Sequence, residues 1–473
     1  MNRFWVALFC LMSLPSASSP QARPAPPAAR KSSEPRTPQK ITRTDYSQEP
    51  FIIERYVTAA RFENDGTGEK DLTARIRVQT DAGAKQLSQL VFAYSSANQR
   101  IDVRYLRIHK PNGTVVPAGA DGVKETIASV VRDAPAYSDY KEKHTAIPAL
   151  SPGAVIEYEI ATRFVTPVAP GEFWFQHTFI NSAIVLDERL EINIPESRKV
   201  NLESSPRFAY DTVHLNGRTI YRWKHSNLTH PAESSQDKTF EQENAERPSV
   251  QLATFASWVD VARWYAQLEK GRTEPTPEIR AKAQELTQGC SSDFEKLQAV
   301  YDYVSKTIRY VSVSFGTGSY QPHSAAEVFA NQYADDKDKH TLLAAMLQSV
   351  GIPSEAVLIP YTTQLDTRVP SPQQFDHVIT AVHLGSELIW MDSTVEVAPF
   401  RLLASPLRKK DALLVPADGD GKIVKTPADP PFPSIQHVDI DGQVSDLGKL
   451  SAQKRHDHRD ITLAHRSYAT NLA

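Results

Sequence analysis

Three short segments hold the residues whose chemistry stands out. Tyr333-Ala334-Asp335-Asp336-Lys337-Asp338-Lys339-His340 runs into Leu342, Leu343, Met346, Leu347 and Val350. Those apolar positions recur at helical spacing, and Gly351 followed by Ile352-Pro353 stops them, so Asp335 or Asp336 stands at a helix N-terminus. Phe375-Asp376-His377-Val378-Ile379 and Leu388-Ile389-Trp390-Met391-Asp392-Ser393-Thr394 both read as strands, with Gly385-Ser386 as a two-residue hairpin turn between them. Closed that way, the hairpin sets Leu384 opposite Glu387 and Ile379 opposite Asp392. His377 and Asp392 then become diagonal neighbours on one sheet face, with Cβ atoms somewhat under about 7–8 Å apart. A carboxylate so placed accepts a hydrogen bond from the imidazole and fixes its tautomer and orientation.

A His–Asp pair facing a helix N-terminus is an arrangement that activates a thiol for acyl transfer. The helix dipole and an imidazolium depress a cysteine pKa there, and the carboxylate orients the base. The residue at this helix start is Asp336, which has no thiol. The chain has two cysteines, Cys10 and Cys290, and Cys290 precedes a different helix. A second chemistry uses the same residues: Asp336, His377 and Asp392 suit a divalent ion if the three converge. No cofactor is expected.

The elements that must position these residues follow from periodicity. Trp258, Val261 and Tyr265 share one face of a short helix. Ser292-Asp293-Phe294-Glu295 reads as a capping box, followed by an apolar stripe of Phe294, Leu297, Tyr301, Val304 and Ile308 that predicts a long, one-sided core helix. Before this helical region the period is two. Leu72, Ala74, Ile76 and Val78 alternate with polar residues, as do Ile156, Tyr158 and Ile160, and Leu190, Ile192 and Ile194. Asn112-Gly113 signals a hairpin. An all-β, sandwich-like domain is predicted over 51–224. Its aromatic run Phe173, Trp174, Phe175 and His177 is expected to be a core strand rather than a ligand platform.

The rest of the 473 residues bounds the setting. Arg3 followed by the apolar run Phe4 to Leu14 and the small residues Ser16-Ala17-Ser18 predicts a secretory signal over 1–18, too short to span a bilayer. Export to a periplasm or the medium is therefore expected, with no membrane span in the mature chain and Cys290 alone after processing. Residues 19–50 are Pro- and Ala-rich and read as a spacer. A polar linker is placed at 225–250, a second domain at 251–403, and a Pro-rich segment with a tail lacking strand pattern at 404–473. A net charge of −3 and a pI near 6.5 give no basic excess for nucleic acid.

The stretch from about Trp258 to Leu403 resembles the transglutaminase-like core domain. The β-rich part before it resembles the domain of unknown function that commonly precedes that core in exported proteins of Gram-negative and related bacteria. The segments carrying the resemblance are YDYVSKTIRY, YQPHSAAEVF, KDKHTLLAAMLQSVGI, FDHVI and LIWMDST. It implies an α+β chain, an all-β domain followed by a papain/transglutaminase-like domain. It also implies that His377 and Asp392 are members of a catalytic triad. Where the family reads Gly-Asp-Cys-Lys-Asp-Lys, this chain reads Ala334-Asp335-Asp336-Lys337-Asp338-Lys339, so the resemblance puts Asp336 at the nucleophile position and Ala334 where the family has glycine. Removing a triad nucleophile costs on the order of 10⁶ in turnover. A carboxylate preserves the charge pair with the imidazole and caps the helix. The reading that follows is a non-catalytic protein binding a peptide, protein or glycan at the cell envelope. The alternatives are an active acyl transferase or peptidase of this fold, and the metal site.

Overall fold

The computed structural model describes residues 46–117, 122–148, 150–229, 247–313, 320–396 and 398–432, and the backbone of a hairpin at 436–444 and 450–458. The expected signal (1–18), nearly all of the spacer and most of the linker lie outside the described residues.

The β-rich domain is built on an eight-stranded sheet. In spatial order its strands are Tyr210–Leu215, Arg218–Asn227, Ile184–Pro195, Phe51–Phe62, Gly68–Val78, Val155–Phe164, Gln99–His109 and Val115–Pro117. Alternation did what a period of two requires: Ala74, Ile76 and Val78, Ile156, Tyr158 and Ile160, and Leu190, Ile192 and Ile194 are all buried, while the residues between them face outward. Asn112-Gly113 turns the chain with φ of 84° at Gly113, which a residue bearing a Cβ adopts only at a cost. Two three-stranded sheets cover the large one. Phe92 from one meets Tyr158 edge-on, and Phe175 from the other packs with Phe62, Leu190 and Trp223. Phe173 and Phe175 are buried, and Trp174 stacks on Phe255 and meets Trp264 and Tyr320 edge-on, so the aromatic run is core. A short helix, α1 (Asp81–Gln86), is capped by Thr80.

The second domain packs helices against a five-stranded antiparallel sheet in the order Glu387–Met391, His377–Leu384, Glu355–Ile359, Asp411–Val415, Lys422–Lys425. Its boundaries differ from the sequence reading at both ends. Val250–Ala253 pairs with strands of the first domain. Asp411–Val415, past the end placed at 403 from the extent of the resemblance, lies inside the second domain's sheet, where its run Ala412-Leu413-Leu414-Val415 is buried. The tail differs too. Gln436–Val444 pairs with Leu450–His458, a polar strand formed by backbone pairing with an apolar-alternating partner, where no strand was expected.

The helices are α2 (Trp258–Glu269), α3 (Pro277–Thr287), α4 (Asp293–Thr307), α5 (Ala325–Asn331) and α6 (Asp336–Ser349). In α4 the predicted stripe is buried at Leu297, Tyr301, Val304 and Ile308, but Phe294 is 37% exposed and rests edge-on against Phe400. Its capping box is incomplete: Ser292 accepts from the Glu295 N–H, yet the Glu295 carboxylate reaches back to Ser291 rather than to the cap residue. Helix α6 is buried from Asp336 through Leu347, as a helix surrounded on all sides must be. It ends in a Schellman arrangement: Gly351 at φ 79°, its N–H bound to Gln348 and that of Ile352 to Leu347.

Candidate functional site

The hairpin register predicted from Gly385-Ser386 is the one observed. Leu384 pairs with Glu387, and the ladder runs back to Thr380 and Met391. Gly385 takes φ 61°, the positive value that a primed two-residue turn needs at its first position. Past the end of that ladder, by one residue on one strand and three on the other, Asp392 and His377 meet, and Nε2 of His377 donates to Asp392 Oδ2 at 3.1 Å.

The start of α6 meets them from the other side. Asp335, in extended backbone, is the N-cap, and its carboxylate accepts from the Asp338 N–H at 3.1 Å. Asp336 is the first helical residue, so the capping role assigned to it from sequence belongs to its neighbour, whose backbone has the non-helical conformation a cap needs. Asp336 Oδ2 accepts from His377 Nδ1 at 3.1 Å and from the Val378 N–H at 3.1 Å, while Oδ1 takes the Lys337 N–H at 2.8 Å. The imidazole thus bridges two carboxylates, one on each ring nitrogen. Exposure is 1% at Asp336, 5% at His377 and 1% at Asp392, so the three converge in a buried site.

Charge follows geometry. Burial alone would lower the His377 pKa, but Asp392 and Asp336 outweigh it and push the imidazolium up to about 10. Asp392, despite burial, is held below the ordinary carboxylate range by His377 and by the Thr394 hydroxyl and N–H. The same geometry disfavours the ion site considered from sequence. A shared metal needs Asp336, Asp392 and one imidazole lone pair aimed at a common point, whereas here the ring lies between the carboxylates. Among the described residues, no group of three His, Cys, Asp or Glu side chains is arranged to hold an ion.

Several residues that fix this triangle escaped the sequence reading. Tyr301 on α4 donates to the Asp392 carbonyl at 3.0 Å. Lys339 on α6 spans to the carbonyls of Ser393 and Ser305 at 2.8 and 3.1 Å, and burial pulls its pKa down to about 8. Tyr361 stands edge-on to the His377 ring at 5.7 Å. Its loop is pinned from two sides: Asp376 accepts from the Tyr361 N–H and the Thr362 hydroxyl, and Lys410 donates to the carbonyls of Pro360, Tyr361 and Thr363 at 2.8, 2.7 and 2.7 Å. Replacing Lys410→Met leaves one buried and two partly buried carbonyls without their donor, and should lower unfolding free energy in urea by ~2–4 kcal/mol. The one available signal was a charged residue beside apolar strand positions, as at Asp376 and Lys410. Ala334 sits in a two-residue strand paired with Tyr310, and the residue before the helix with positive φ is Gln332, at 58°. Cys290 is a half-buried free thiol in the connection between α3 and α4.

Two family models match the chain. Residues 64–232 match a domain of unknown function, DUF3857, and residues 280–392 match the transglutaminase-like superfamily. A search of curated proteins returned no match. Among solved structures, a protein from Parabacteroides distasonis described as a putative protease aligns over 80% of this chain and 72% of its own, at 18% identity and a TM-score of 0.68. At that identity it shows the shared fold. A putative cysteine protease from Cytophaga hutchinsonii (12% identity, 63% of this chain and 91% of that one, TM-score 0.23) and an M1 zinc metallopeptidase from Deinococcus radiodurans (11%, 44% and 43%, TM-score 0.23) align more loosely. The chain is a DUF3857 domain followed by a transglutaminase-like core domain, in one α+β architecture.

Proposed function

We propose that this chain is a non-catalytic protein on a transglutaminase-like fold, in which Asp336 occupies the place of the nucleophilic thiol. The observation that carries the reading is the engagement of both ring nitrogens of His377 by carboxylates. No basic lone pair remains to take a proton from a nucleophile, and the group nearest the imidazole is a carboxylate. Attack by Asp336 on an amide would generate an anhydride, a product too high in energy to accumulate. The carboxylate, three donors and the helix N-terminus instead make a stable ionic triangle. That triangle serves as a structural centre for a domain whose task is binding. The apolar run Phe4 to Leu14 with its charged start supports export, and a partner of peptide, protein or glycan character at the cell envelope fits that location.

The mature protein, incubated with a diverse peptide and amine library, should neither cleave nor cross-link any member above the level of His377→Ala. Iodoacetamide should label Cys290 alone. A His377-dependent turnover in the wild type overturns the proposal and restores the acyl-transferase or peptidase reading.

A further inference from the structure

The first turn of α6 is held by a residue from the other domain. Between the strands Val123–Ile127 and Tyr140–Ala146 the β-rich domain extends two 3-10 turns, Ser129–Val131 and Pro135–Tyr137. They lay Ala128, Val131, Ala134 and Tyr137 against Val311 and Val313 of the transglutaminase-like domain in a small apolar cluster. Tyr137 is 2% exposed. Its hydroxyl donates to Asp338 Oδ2 at 2.5 Å and accepts the Asp335 N–H at 2.7 Å. One oxygen therefore ties together the cap residue of α6 and the residue whose N–H that cap binds. The neighbouring Tyr333 hydroxyl accepts from the Ala136 N–H at 3.1 Å, pinning the turn from the opposite side.

We propose that Tyr137 of the β-rich domain is a positioning residue for the site in the second domain, setting the first turn of α6 so that the Asp336 carboxylate meets Nδ1 of His377. Asp336 lies between Asp335 and Lys337 in sequence, and Lys337 is itself ion-paired to Asp335. A movement of the cap therefore carries the Asp336 carboxylate with it. His323 completes the brace: its Nδ1 donates to Asp338 Oδ2 at 2.8 Å and its main-chain N–H to Oδ1 at 2.7 Å. The aliphatic contacts of the cluster would survive loss of the Tyr137 hydroxyl. The cap would lose the acceptor for its N–H in a buried place, and the hydrogen bond from His377 to Asp336 would lose its alignment. The transglutaminase-like domain thus needs its N-terminal neighbour to complete the site, whether or not that site turns over substrate.

The test is an NMR titration of His377 in the full chain with Asp336 in place, comparing the wild type with Tyr137→Phe. A control, Tyr94→Phe, removes a comparably short tyrosine–carboxylate bond, to Glu125, within the β-rich domain alone. In Tyr137→Phe the His377 midpoint should fall by about one pH unit, a tenfold loss of proton affinity. In Tyr94→Phe it should not move, even if the thermal midpoint drops equally. An unshifted His377 in folded Tyr137→Phe overturns the proposal. Should that variant not fold, His323→Ala decides: it spares the tyrosine and removes a second donor to Asp338, so a smaller fall in the same direction supports the proposal and no fall overturns it. Turnover does not enter this measurement, so the proposal stands or falls separately from the non-catalytic reading.

Discussion

Replacing Asp336→Cys should create a thiol that iodoacetamide alkylates at least ~10 times faster than Cys290 at neutral pH. A sulfur there inherits the donors that now serve the carboxylate: the His377 imidazolium and the Val378 N–H, at the N-terminus of a helix. Such surroundings lower a thiol pKa from about 8.5 into the range of roughly 3.5–7.5, which turns a few per cent of thiolate into most of the population. Burial slows the reagent, so the decisive comparison is internal: His377→Ala in the same background should abolish the enhancement. Adding Ala334→Gly should change little, because Ala334 lies in extended backbone and needs no positive φ. A thiol at position 336 that reacts no faster than Cys290, with or without His377, would mean that the imidazole cannot support a charge there.

The second large effect concerns the buried ionic triangle in the native chain. His377→Ala removes the cation between Asp336 and Asp392 and leaves two carboxylates facing each other out of water, which should cost about 3–5 kcal/mol of unfolding free energy. The same group gives the wild type a signature in pH. Its folded pKa, about 10, exceeds the ordinary imidazole value of 6.5. Its contribution is therefore complete below about pH 6.5 and is lost as the pH rises through 10, a decline worth a few kcal/mol. Other groups overlap this window. Asp335, pushed up to about 8 by burial and by Asp338, adds a decline of the same sign below 8. Lys339 and Lys410, pulled down to about 8 by burial, add a rise above it, since unfolding there takes up a proton. The lysines and Asp335 act alike in both proteins, so the gap in urea midpoint between the wild type and His377→Gln should narrow steadily from pH 6.5 to 10. Parallel curves for the two proteins would show that His377 is not the proton carrier.

Local pattern made some parts of this molecule legible and hid others. The His377–Asp392 geometry could be written down from Gly385-Ser386 because a two-residue turn leaves one register, and a register fixes which side chains share a face. The start of α6 was legible to within one residue. Two adjacent aspartates both suit a helix start, and only backbone conformation distinguishes the cap, Asp335, from the first helical residue, Asp336. Lys339, Lys410 and Tyr137 were not legible, because each acts across a separation of tens to about two hundred residues on a main-chain atom or on a charge in another element. No periodicity records a lysine reaching three carbonyls. Asp411–Val415 was missed as part of the second sheet for a related reason: it leads into Pro416, Pro427 and Pro430-Pro431, which read as a Pro-rich segment outside the domain, whereas the deciding fact is its pairing with Glu355–Ile359.

The order of strands in the large sheet also governs when it can form. Phe51–Phe62 is made before every other strand of this sheet, yet it lies in the interior, flanked on one side by Gly68–Val78 and on the other, in parallel, by Ile184–Pro195. The hairpin partner arrives within a few residues. The parallel partner arrives only after a loop of about 130 residues has been made, Ile52 waiting for Ile184. Until then the early strand presents an unpaired edge carrying Ile52, Ile53, Val57 and Ala60, the kind of surface that recruits other chains. The sheet of this domain thus closes by a late, non-local pairing, and its early edge stays open until Ile184–Pro195 has been made.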